Sequence, residues 1–156
     1  MNVILAVLLN VLLTIMNTVA APIQDWQWIV PLKTTRTEVE RILGPTKTAY
    51  YADYQLNDGA LFIEYSSGPC RPDRKGGWDV PENVVVSMSF SPKHHQKLSA
   101  LKLDSRKYRK VIDPELPSVT YYINEVDGIT YSIQSRKVDY VEYGPAKKYD
   151  DLYCKE

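Results

Sequence analysis

The chain has 156 residues, and its 19 basic and 19 acidic side chains cancel to a formal net charge of zero. A protein that binds a polyanion gains affinity by releasing counterions through excess Lys and Arg, so this balance argues against a nucleic-acid partner. The chain's length suits one domain with a core rather than two.

Met1 to Ala20 contains no charged side chain and runs apolar from Val3 to Met16. Small residues at Thr18 and Ala20 then occupy the −3 and −1 positions for a cut after Ala20, the pattern of a cleaved export signal. A cut one residue later would put Pro22 directly after the scissile bond, where its ring obstructs the peptidase. The apolar run lacks the usual basic flank, is interrupted by Asn10, and is shorter than the ~20 residues that a membrane anchor requires. The reading is a signal peptide at 1–20 and one domain at 21–156. The destination is the periplasm or the medium, and the membrane is touched only through the transient signal segment.

Trp26 and Trp28 follow and are expected to pack the N-terminal segment onto the domain. Thr35 and Glu38 then form a capping box, Gly44-Pro45 supplies a stop, and Val39, Ile42 and Leu43 between them share one helical face. From Tyr50 the period changes to two. Tyr50, Ala52, Tyr54 and Leu56 lead into Asn57-Asp58-Gly59, then Leu61, Ile63 and Tyr65 follow, which is a hairpin with a glycine suited to positive φ. A Gly, Pro and basic loop from Ser66 to Glu82 carries Cys70, Arg71, Arg74, Lys75 and Trp78, the last placed to cover a core edge. Val84, Val86, Met88 and Phe90 alternate with Val85, Ser87 and Ser89 in a third strand that Pro92 ends.

The second half repeats the order. Leu101 to Tyr108 takes the place of the first helix with a poor helical pattern. Val119, Tyr121 and Ile123 lead to Asp127-Gly128, Ile129, Tyr131 and Ile133 follow, and Val138 to Tyr143 ends at Gly144-Pro145. Gly59 aligns with Gly128 and Pro92 with Pro145, which predicts half-repeats at 26–92 and 98–145 with a tail at 146–156. The expected fold is α+β: an antiparallel sheet with one or two short helices on one face, in two tandem helix-plus-meander units. The alternating residues from Tyr50 to Ile133 would face the helix-covered core. Tyr51, Phe62, Tyr122 and Tyr143 would then stand on the opposite face, where aromatics serve as interface anchors or merely satisfy strand propensity.

The two cysteines, Cys70 and Cys154, both lie in the part that would reach an oxidising compartment, and a single disulfide between them is the simplest account. A nucleophilic or metal-binding thiol would need a base or further ligands, and the two histidines, His94 and His95, are adjacent and point opposite ways on an extended segment. No HExxH, phosphate-cradling glycine loop, GxSxG elbow or EF-hand spacing occurs, so no catalytic residue, metal ligand or cofactor is assigned.

The stretch "LKTTRTEVERILG" from Leu32 to Gly44, followed by a strand, an Asx-Gly turn and two more strands, resembles the helix-plus-meander unit of small exported bacterial proteins. These are the outer-membrane assembly lipoproteins of the SmpA/OmlA type and the tandemly repeated β-lactamase inhibitory protein. "GPC" at Gly68 to Cys70, "GWDVPENVV" at Gly77 to Val85 and the late Cys154 further resemble a group of exported bacterial proteins without a functional label. The chain lacks the lipid-bearing cysteine of the first family and the full cysteine pattern of the inhibitor. The expectation is a non-catalytic module that binds another protein or an envelope component. The alternatives are a small exported hydrolase or thiol-dependent enzyme with a dispersed site, and a passive structural envelope protein.

Overall fold

A computed structural model describes residues 26–73 and 76–155; the predicted signal peptide lies outside them, as do Arg74 and Lys75. The fold is α+β. Helix α1 (Arg36–Leu43) precedes strands β1 (Tyr51–Gln55), β2 (Gly59–Tyr65) and β3 (Val85–Pro92). A single-turn helix α2 (Leu98–Leu101) then precedes β4 (Arg109–Ile112), β5 (Val119–Asn124), β6 (Ile129–Gln134) and β7 (Lys137–Tyr143), and a 3-10 turn at Lys147–Leu152 leads to the tail. All seven strands form one antiparallel sheet in the order β1-β2-β3-β7-β6-β5-β4. Two meanders, β1 to β3 and β5 to β7, therefore meet along their last strands.

The capping box starts α1 as its sequence dictates. The Thr35 side chain accepts from the Glu38 N–H, and the Glu38 carboxylate accepts from the Thr35 N–H at 2.7 Å. Gly44, at φ 98°, ends the helix and returns its N–H to the Glu40 carbonyl. Val39 is fully buried, Leu43 packs at the margin of the core, and Ile42 is 45% exposed, so the apolar stripe is narrower than the spacing predicts. Arg36 anchors the exit of α1. It donates to Glu40, Thr46 and the carbonyls of Thr48 and Ala49, and its guanidinium lies 5.3 Å above the Tyr65 ring.

The main core joins Val39 to Ala52, Tyr54, Leu61, Ile63, Tyr65, Val85, Met88 and Phe90. Each Val, Leu, Ile, Met or Phe among them contributes on the order of 1.5–3 kcal/mol by leaving water. Tyr50, just before β1, stays outside it at 53% exposure, although its carbonyl accepts from the Tyr65 N–H at 2.8 Å. Val85 replaces the expected Val84 and Val86 on the core side. A bulge between Glu64 and Tyr65 shifts the register so that Tyr65 opposes Val85, and the displaced valines join Val80, Leu32, Trp78 and Leu152 in a separate cluster. Trp26 closes the seam between the meanders, stacking on Phe90 of β3 at 4.9 Å and meeting Tyr143 of β7 edge-on at 5.6 Å.

The hairpin glycines serve close approach. Gly59 has no positive φ; a Cβ there would run into the Ser91 carbonyl and, at 2.7 Å, the Phe90 ring. Gly128 does adopt φ 70°, and a Cβ there would strike the Gly144 carbonyl and come within 2.9 Å of Pro145.

Candidate functional site

Direct cross-strand partners must share a face of a sheet, so the register assigns every strand residue to one side. One row reads Tyr54, Leu61, Phe90, Val141, Tyr131, Tyr122 and Lys110, and most of it belongs to the two core clusters under α1 and α2. The next row crosses all seven strands on the opposite face: Asp53, Phe62, Ser89, Glu142, Thr130, Ile123 and Arg109. Neither helix covers that second face.

Two of the four predicted aromatics stand on it. Tyr51 and Phe62, diagonal neighbours on β1 and β2, are 46% and 39% exposed, and their rings stack at 5.9 Å with planes 22° apart. Tyr122 and Tyr143 do not join them. Tyr122 opposes Tyr131 and packs on Ile133, Val138 and Val141, while Tyr143 opposes Met88 in the core, where burial pushes its phenol up to about 12. For Tyr143 the reason is the irregularity between Ser132 and Ile133, across which β7 changes the parity of its core-facing residues from Val138 to Val141 and Tyr143; for Tyr122 it is hairpin geometry. The β5–β6 connection has four residues, so odd-numbered positions of β5 oppose even-numbered positions of β6, and Tyr121 and Ile123 cannot share a face with Ile129 and Tyr131.

The sequence reading therefore missed Tyr121 and Ile123, and the partner register places Tyr140 beside them. The missed cue was the loop length, which fixes the parity of β5. The Tyr121 hydroxyl donates to Asp113 Oδ2 at 3.1 Å, and this carboxylate, with Tyr140, pushes the phenol up to about 12. Asp113 is itself held below the ordinary carboxylate value by the N–H groups of Leu116 and Glu115, with the Tyr121 hydroxyl adding to them.

Two depressions flank Glu142 on the same face. One of about 450 Å³ runs over Ile123, Thr130 and Glu142 to Lys147 and Asp150. The other, about 330 Å³, lies between Glu64, Ser87 and Glu142 and a wall made by Trp78 and Tyr153. The Ser87 hydroxyl donates to Glu64 at 3.0 Å and so fixes that carboxylate. The wall is built from distant chain segments: Trp78 and Tyr153 meet edge-on at 5.3 Å, Asp79 N–H donates to the Leu152 carbonyl, and Cys154 N–H to that of Gly77. The Cys70–Cys154 disulfide ties the two segments together with Cα atoms 5.5 Å apart. Both cysteines are thereby consumed, and the chain has no free thiol for nucleophilic chemistry.

His95 donates its Nδ1 proton to the Val138 carbonyl at 2.8 Å, and both histidines are exposed. Among the described residues no three His, Cys, Asp or Glu side chains converge as a metal site would require, and no helix is long and apolar enough to cross a membrane. No known protein family, curated protein or solved structure matches the chain.

Proposed function

We propose that the chain is an exported, non-catalytic binding module that engages another protein or an envelope component through the sheet face that neither helix covers. The carrying observation is the exposed, stacked Tyr51–Phe62 pair on a face that neither helix covers. Such a pair buries a large area on contact while freezing few rotors, and the surrounding Ser89, Thr130 and Glu142 supply the polar complement of a recognition surface. The walled depression at Trp78 and Tyr153 gives that surface relief. Export rests on the signal pattern of Met1 to Ala20 and on a disulfide of the kind that persists in oxidising compartments. The two helix-led meanders support descent of the domain from a duplicated unit, in line with the resemblance to exported helix-plus-meander proteins.

The test is capture from the exported fraction with wild-type protein and with the Tyr51→Ser/Phe62→Ser double variant. Loss of a specific partner at unchanged melting temperature supports the module; undiminished capture removes this face from the function. Intact mass of the recovered protein tests export separately, with a chain that begins at Ala21 as the expected product.

A further inference from the structure

We infer that the β6–β7 turn and the segment paired beside it form a binding site for an oxyanion of the phosphate or sulfate class, held by Lys97, Arg136 and Lys137. Gln134 opposes Lys137, so only Ser135 and Arg136 make the turn, and both lie in the left-handed region at φ 49° and 62°. A two-residue turn of this kind favours Asn-Gly or Asp-Gly, because in the left-handed region a Cβ crowds the following carbonyl. Here a serine and an arginine occupy it, which is locally unfavourable.

A second unfavourable choice sits against the first. The β3–β7 pairing covers only Val141 to Tyr143, and Gln96 to Leu98 takes the edge of β7 left open nearer the turn. Val138 N–H donates to the Gln96 carbonyl at 2.8 Å and Leu98 N–H to that of Arg136 at 3.0 Å. These bonds bracket Lys97 and Lys137 as a directly opposed pair without hydrogen bonds between them, the arrangement that brings cross-strand side chains closest. Like charges placed so repel.

Lys97, Arg136 and Lys137 line one concavity of about 600 Å³ together with Leu98, Ser99 and Ser135. Among the described residues none of the three enters an ion pair. A bound oxyanion makes the whole arrangement favourable: the guanidinium fork of Arg136 accommodates two oxygens, the paired ammonium groups lose their repulsion, and the serine hydroxyls can donate. A locally unfavourable turn and unpaired like charge that coincide at one place mark a ligand site more strongly than either does alone. The site is separate from the Tyr51–Phe62 surface and stands or falls without it.

The experiment is titration calorimetry of the full chain with inorganic phosphate and sulfate against chloride at constant ionic strength. Parallel measurements use phosphatidylcholine vesicles with and without phosphatidylglycerol. Wild type is expected to bind the oxyanions and not chloride, and Lys97→Ser/Lys137→Ser to lose about tenfold or more in affinity. Ser135→Asn/Arg136→Gly relaxes the turn, so it should raise the melting temperature while weakening binding. Binding to phosphatidylglycerol vesicles without binding to free phosphate identifies a lipid headgroup as the source, and binding to free phosphate a soluble oxyanion. Wild-type affinity in either variant, or no binding of any probe by wild type, overturns the site.

Discussion

Tyr122 and Tyr131 stand directly opposite one another on β5 and β6, and both pack on the core cluster beneath α2. This pairing turns Tyr121, not Tyr122, to the face that neither helix covers. The predicted aromatic quartet is thus divided into two exposed rings, Tyr51 and Phe62, and two core members, Tyr122 and Tyr143. The separation has a direct mutational signature. Tyr122→Ser should lower the unfolding free energy by about 2 kcal/mol through lost packing, whereas Tyr51→Ser should stay within roughly 0.5–1 kcal/mol of wild type. Urea denaturation of the two single variants measures the difference, and equal destabilisation would refute the face assignment.

Arg36 joins α1 to the 46–49 segment through bonds to Glu40, Thr46 and the carbonyls of Thr48 and Ala49. Replacing it by alanine leaves carbonyls and Glu40 without a cationic donor and should cost about 2–3 kcal/mol. Arg36→Lys should recover only part of this, because an ammonium cannot reproduce a planar fork that serves several acceptors. Thermal melts of the three proteins are the check, and full recovery by lysine would show that charge alone suffices.

The capping box predicts an acid dependence. The Glu38 carboxyl lies below its ordinary value of 4.5, chiefly because it accepts from the Thr35 N–H and secondarily from the Thr35 hydroxyl. A group depressed in the folded state stabilises fully above its unfolded value and loses that contribution as the pH falls through the folded one. Melting temperature should therefore fall on acidification below pH 4.5. Glu38→Gln should melt lower than wild type at neutral pH and show a shallower acid decline; parallel pH profiles would rule out this carboxylate as a contributor.

The disulfide closes a loop with a sequence separation of 84, for which the chain-entropy estimate is about 4–5 kcal/mol. Cys70→Ser/Cys154→Ser should lower stability by an amount of that order at most. Limited proteolysis should then cut first in the tail, because Tyr153 and Leu152 lose their tether to the Trp78 loop while the sheet ladder remains. An unchanged cleavage pattern would mean that the hydrogen bonds of Asp79 and Cys154 hold the wall without the bridge.

The sequence by itself determined the features whose causes lie within a few residues. The Thr35–Glu38 box and Gly44 bound α1, Asn57-Asp58-Gly59 and Glu125 to Gly128 turn the two hairpins, and the two cysteines specify a bridge that needs no other partner. Tertiary structure decided what depends on how distant strands pair. The bulge beside Tyr65 moved Val85 into the core, the four-residue β5–β6 loop chose the parity of β5, and Arg109–Ile112 became a strand only because β5 offered it an edge. Strand side chains alternate with a period of two, so a one-residue shift in register exchanges the two faces, and residues such as Tyr121 and Tyr122 are chemically suited to either. Local propensity can therefore announce a strand here, while only pairing across the sheet selects which of its aromatics a partner could touch.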